Sequence, residues 1–294
     1  MGHDAHHHHH HDSVEIDWVA MAAQLELEAE VMLPFVTETA VTAAELCRQD
    51  GLAVQRILDV GSGPGVVACE LATRFPLATV IAADATEPLL QRAATRAAGL
   101  GLSERVITRA VELPGGIEQL GRADLIWMAM VLHHVGDEAD MLRRVRHVVE
   151  PGGILVLVEH GDPMRFLSED SFPSRTGLND RLDALEASWL AAMRAELPNA
   201  VDSTDYATML EAAGFEVIVD RVAHVQIRPP LPLEARRMIL GRLQRARDLF
   251  AEQLEEGDGQ ALDVLIAEEH PLGVMRHPEV FLDASRHVYT ARAR

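Results

Sequence analysis

The chain has 294 residues, 48% of them hydrophobic, with 26 basic against 46 acidic side chains and a formal net charge of -20. That length can bury a full core, and no apolar run is long enough to span a bilayer, so a soluble, membrane-free protein is expected. The charge sets RNA and DNA aside as main substrates, because a phosphate backbone requires a basic footprint, and moves small molecules up.

Residues 1–12, MGHDAHHHHHHD, hold seven of the fifteen histidines and read as a low-complexity leader, either a tag or a native metal-chelating tail. It has no hydrophobic stretch behind its charged residues, so it does not read as a signal peptide. Elsewhere no His, Cys or carboxylate grouping has metal-ligand spacing, and no metal is expected. Cys47 and Cys69 fall in apolar helical segments, where a small core hydrophobe fits better than a disulfide and a reducing cytoplasm is the expected compartment.

Residues 13–50 read as an N-terminal helical cap. Trp18, Met21, Ala22, Leu25, Ala29 and Met32 recur at helical spacing up to Pro34, and a second helix is expected from about Thr37 to Arg48. A core over 51–228 follows. Within QRILDVGSGPGVVACELATRF, Gln55 to Phe75, Ile57, Leu58 and Val60 make a short buried strand, and Val67, Leu71 and Phe75 repeat at helical spacing. Between them stand Gly61, Gly63 and Gly65. Such a turn reaches positive φ and leaves room for a ligand against the first amides of the helix. A dinucleotide turn needs its third glycine at the sixth position, where Val66 stands, and a phosphate loop needs a lysine that is missing.

A second strand, Thr79 to Ala83, ends in Asp84 and leads into a helix opened by Pro88 and closed near Gly99. RVITRAVELPGG gives a third strand. A fourth follows, then a helix with Leu142, Val145 and Val149 on one face, then a fifth strand after Pro151-Gly152-Gly153. This alternation predicts an α/β fold with a mostly parallel sheet, helices on both faces and a ligand crevice beyond the carboxyl ends of the strands.

From Arg56 to Glu159 the chain resembles the class I S-adenosylmethionine-dependent methyltransferases, through Asp59-Val60-Gly61-Ser62-Gly63-Pro64-Gly65, Asp84 and Pro151-Gly152-Gly153. The resemblance implies a Rossmann-like seven-stranded sheet and S-adenosylmethionine as cofactor. It puts the cofactor's amino acid end at Asp59, Gly61, Ser62, Gly63 and Gly65, its ribose at Asp84 and its adenine near Ala85, with Met128 as a further contact. Where the family usually carries an adenine-binding acidic residue, this chain has alanine. Glu112 or a backbone amide near Val111 is the expected substitute.

Beyond the fifth strand, a helical insertion at about 162–200 carries Leu178, Leu182, Leu185, Trp189 and Met193 on one face. A crossover helix stopped by Gly214 and a sixth strand, Glu216 to Val222, come next. Either HVQIRPP or the terminal RHVYTARAR supplies the seventh strand, and Val288 and Tyr289 favour the terminal one. Residues 229–294 then form a helical insertion ending in that last strand, with Ile239, Leu243, Ala246, Phe250 and Leu254 on one face. Arg143, Arg144 and Arg146, or Arg236, Arg237 and Arg242, are candidate basic patches, although arginines on a helix's outer face are usually solvated.

The resemblance implies a methyltransferase acting on a small-molecule acceptor, oxygen ahead of nitrogen and carbon, in a setting such as secondary metabolism. An oxygen nucleophile requires a base at the ends of strands four and five. His134 is the first choice, because imidazole titrates near neutral pH, followed by Glu159 and His133. Two other readings stay open: non-methylating use of the sulfonium, and a cofactor-binding subunit without turnover. Oligomeric state is also open, a homodimer being one option.

Overall fold

The structure is a computed structural model that describes residues 17–168, 171, 176–200 and 205–294. The leader 1–12 and the start of the 13–50 cap lie outside the described residues. Seven strands form one sheet: β1 (Arg56–Val60), β2 (Thr79–Asp84), β3 (Val106–Ala110), β4 (Ala123–Ala129), β5 (Val149–His160), β6 (Phe215–Ile227) and β7 (Leu282–Ala293). Their order is β3-β2-β1-β4-β5-β7-β6. The pairs among β1 to β5 are parallel, and β7 runs antiparallel between β5 and β6. Strand order reverses beside β1, between β2 and β4, which fixes the ligand crevice at the carboxyl ends of these strands.

Helices cover both faces. They are α1 (Ala22–Val31), α2 (Leu33–Gln49), α3 (Val66–Arg74), α4 (Glu87–Gly99), α5 (Glu138–Val148), α6 (Leu178–Ala195), α7 (Tyr206–Ala212), α8 (Leu233–Leu249) and α9 (Glu256–Ile266). On one face Ile57, Trp127, Val156 and Val288 join Val36, Ala68 and Ile239 in a single core. On the other, Leu58, Met128, Leu157 and Tyr289 pack with Leu142, Val145 and Leu210. The alternation of strand residues between the two clusters is the period-two pleat with both faces covered. No helix among the described residues is long and apolar enough to cross a membrane.

Three boundaries differ from the sequence reading. The sixth strand does not stop at Val222; HVQI continues it to Ile227, because the 12-residue β7 pairs with it out to Leu282. The seventh strand is the terminal segment. Pro151-Gly152-Gly153 lies inside β5, beside a register shift between Ala123 and Leu125, rather than ahead of the strand. Pro34 does not end the cap's first helix. It occupies the first turn of α2, where its missing N–H leaves no bond unmade.

The helix α1 packs on α8, so the cap and the C-terminal insertion meet over the sheet. Gly241, in the middle of α8, explains how they come so close. A Cβ there would sit 2.1 Å from Oε1 of Gln24, while Gln24 Nε2 donates to the carbonyl of Met238 at 3.0 Å. A mid-helix glycine costs about 1 kcal/mol against alanine, which this contact offsets.

Candidate active site

The glycine turn is built by backbone geometry. Gly61, Gly63 and Gly65 have φ of 71°, 51° and 78°. Added Cβ atoms at Gly61 and Gly65 would lie 2.1 Å from Val131 Cγ2 and 2.5 Å from the Ala93 Cβ, whereas at Gly63 a Cβ would meet nothing within 4 Å. Two glycines let neighbouring elements close in. The third faces open space.

Asp84 organises this corner. Its Oδ2 accepts from the Gly63 amide at 2.9 Å, its Oδ1 from the Thr86 amide at 2.8 Å, and its carbonyl from the Val111 amide at 2.9 Å. One residue thus ties the glycine turn to β2 and to the end of β3. Around it Ala85 and Ala110 are exposed and carry no large side chain, while Ser62 is buried with its hydroxyl unpartnered. Val111 is buried, and the side chain of Glu112 is exposed beside it. Met128 differs from its expected place: its side chain is fully buried in the core with Val60 and Leu157, so Ala129 and Met130 are the residues at the open end of that strand.

Asp59 is 2% exposed, receives the Ala68 amide and leaves Oδ2 without a hydrogen-bond partner. Burial first, and then the nearby Asp84 carboxylate, push its pKa up to about 8.

The expected catalytic residues come together at the ends of β4 and β5. Glu159 is 1% exposed; its Oε1 accepts from the Leu132 amide at 2.9 Å and its Oε2 lies 2.6 Å from His133 Nδ1. A carboxylate only accepts, so this contact turns an Nδ1–H of His133 toward Glu159. The His133 ring lies 4.0 Å from that of His134 and 4.5 Å from that of His160, centroid to centroid. His134 meets the edge of Trp18 at 5.1 Å. Burial, followed by His133 and Arg194, drives the pKa of His134 down to about 3. That makes His134 a weaker base than the sequence suggested. Arg194 in α6 braces the cluster by donating to the His133 carbonyl at 3.0 Å and pairing with the fully buried Glu138. Among the described residues no group of three or more His, Cys, Asp or Glu is arranged to hold a metal ion.

Sequence reasoning missed a second feature next to this cluster. Gln24, Glu28, Met32, Met164, Met238, Arg242, Ala284 and Arg286 line a cleft under the cap with about 310 Å³ of empty space, its open mouth included. Of these, Met32 had been read as part of the cap's apolar face and Arg242 as part of a candidate basic patch.

A parallel sheet extended by an antiparallel seventh strand, with a glycine turn and a carboxylate at its switch point, defines a ligand-binding α/β protein. Residues 32–219 match the family described as "Methyltransferase domain". The chain belongs to that family, the class I S-adenosylmethionine-dependent methyltransferases. A Mycobacterium tuberculosis relative named "Uncharacterized methyltransferase" is 36% identical over 115 residues, 38% of this chain and 54% of its own length. A trans-aconitate 2-methyltransferase of Methylobacterium radiotolerans is 28% identical over 198 residues, 65% of this chain and 69% of its own. The chain thus spans about half the length of the first curated relatives it matches. A solved structure from Nostoc punctiforme, a proposed O-methyltransferase, has a TM-score of 0.52 at 18% identity and covers 94% of this chain and 59% of its own, a likeness of fold.

Proposed function

We propose that the protein transfers a methyl group from S-adenosylmethionine to an oxygen of a small-molecule acceptor. The observation that carries the reading is the buried His133–Glu159 pair, 2.6 Å apart, beside a glycine turn held open by Asp84. Bound at that turn, the cofactor supplies an electrophilic methyl on a sulfonium, with its own leaving group. The chain's part is to hold it, align the acceptor, exclude water and take a proton. Gly63 offers open space, Asp59 an unpartnered oxygen and Asp84 a carboxylate in the ribose position that the resemblance implies.

Glu159 fixes the His133 ring and stabilises the imidazolium that forms when Nε2 takes the acceptor's proton. His133 therefore stands ahead of His134 as the base. His134, neutral above acid pH, and Trp18 shape the entrance. A hydrogen-bonded histidine–carboxylate pair favours oxygen, since an amine already neutral needs no base. Relatives named for small molecules, trans-aconitate and ubiquinone biosynthesis among them, support a small-molecule acceptor, as does the charge of -20 against nucleic acid. A role in secondary metabolism rests on the family resemblance alone. The test is S-adenosylhomocysteine formation across an acceptor panel. Turnover with a hydroxyl-bearing acceptor that His133→Ala abolishes supports the reading; binding of the cofactor without turnover on any acceptor favours the non-catalytic subunit.

A further inference from the structure

From the residues lining the cleft under the cap, we infer that the acceptor carries a carboxylate, held by Arg242 and Arg286, with an apolar part against Met32, Met164 and Met238. The inference rests on the methyltransferase reading and adds the acceptor's chemical class.

The cleft borders the catalytic cluster through Arg286. Arg286 of β7 is the register partner of His160 at the end of β5, and the His160 ring lies 4.5 Å from that of His133. Partial burial, then His133, Arg286 and Arg242, push the His160 imidazole down to about 3, although part of the residue is open to solvent. Both guanidiniums thus lie within electrostatic reach of the ring next to the proposed base.

Two arginines stand out in the lining of a protein whose charge is -20. Each is held by one carboxylate: Arg286 NH2 by Glu28 at 2.6 Å, and Arg242 NH2 by Glu186. A guanidinium carries five N–H donors in a planar fork, so each retains donors for a second planar acceptor. Arg286 also uses NH1 on the Ser285 carbonyl at 2.9 Å. One turn further along α8, Arg245 has no carboxylate partner among the described residues. Its NH1 rests on Met21 Sδ at 2.8 Å and its guanidinium lies 5.5 Å from the centre of the Trp189 ring. Burial pushes its pKa down, with Glu186 opposing. Arg245 is thus a further cation beside Arg242 on α8. The three methionines provide an adaptable apolar surface in the cleft's lining.

The test uses the whole protein saturated with S-adenosylhomocysteine, whose binding is measured first; if it does not bind, the methyltransferase reading fails, separately from this one. Hydroxybenzoates, hydroxycinnamates and medium-chain hydroxy acids are then titrated by calorimetry, each against its carboxamide. At least one class of carboxylate is expected to bind at least about tenfold more tightly than its amide. Arg242→Gln and the charge-balanced pair Glu28→Gln with Arg286→Gln should each remove about tenfold or more of that preference, with S-adenosylhomocysteine affinity and melting temperature near the parent's. The paired variant avoids stranding Glu28, and Arg242→Lys should restore part of the binding. Equal binding of amides and acids, no binding by any carboxylate, or folded glutamine variants that bind as the parent does would each overturn the inference.

Discussion

The two halves of the crevice are made differently. On the β1–β3 side the surface is main chain and small residues: three glycines at positive φ, Ala85, Ala110 and a carboxylate whose oxygens hold two amides. On the β5–β7 side it is long side chains from separate stretches of the chain: histidines and Glu159 at the strand ends, arginines and methionines from α8, β7, the cap and the segment after β5. A backbone-made surface accepts one ligand and tolerates little change. A side-chain-made surface is where acceptor choice can vary without disturbing the fold.

The largest effect is expected on the side-chain half. His133→Ala should lower kcat about 10²- to 10⁴-fold with S-adenosylmethionine affinity nearly unchanged, read by steady-state kinetics and calorimetry. Raising the pH should recover part of the rate, because the acceptor hydroxyl then ionises by itself. His134→Ala should cost less; a larger loss from His134 than from His133 would return the base to His134.

Phe250→Ala tests where acceptor surface ends and core begins. Phe250 is 3% exposed in the insertion, so truncation should cost about 3–5 kcal/mol of stability, measured by denaturant unfolding. Trp189→Ala, half-buried beside Arg245, should leave stability closer to the parent and alter acceptor kinetics instead.

On the backbone half, Asp59 makes stability depend on pH. Its folded pKa is about 8 against a usual 3.8, so the folded state holds the proton more tightly than the unfolded one. The resulting penalty is absent below about pH 4, grows as pH rises and is complete above about pH 8. Asp59→Asn should remove it and raise stability at pH 8 by on the order of 2–3 kcal/mol. Parallel melting curves for parent and variant from pH 5 to pH 8, the range of about three units set by this shift, would contradict the assignment.

What could be read from sequence follows the same division. The glycine turn, Asp59 and Asp84 were legible because backbone requirements write themselves into consecutive residues, and the strand-helix alternation carried the sheet with them. The His133–Glu159 pair was visible only as two nearby candidates 26 positions apart, since no local signal shows which imidazole a buried carboxylate will hold. The choice of His134 rested on an ordinary imidazole pKa, which burial then removed. The cleft was not legible. Arg242 and Arg286 lie 44 residues apart, in a helix and a strand, and only tertiary packing brings them into one cleft. In sequence an arginine on a helix looks the same whether it faces water or a ligand. Met128 is a different case: its position follows the resemblance, and the pleat turns its side chain into the core.

The smallest structural change with a decisive readout is Gly63→Ala, because its Cβ meets no protein atom within 4 Å and its φ of 51° costs about 1 kcal/mol on an L-residue. Calorimetry of S-adenosylhomocysteine against the parent and this variant tests directly whether that open space belongs to the cofactor. The parent should bind it and show no binding of NAD. The variant should stay folded, with a modest drop in melting temperature, and lose at least about tenfold in affinity, equivalent to about 1.4 kcal/mol. Unchanged affinity in a folded Gly63→Ala protein, or NAD binding by the parent, would contradict the account.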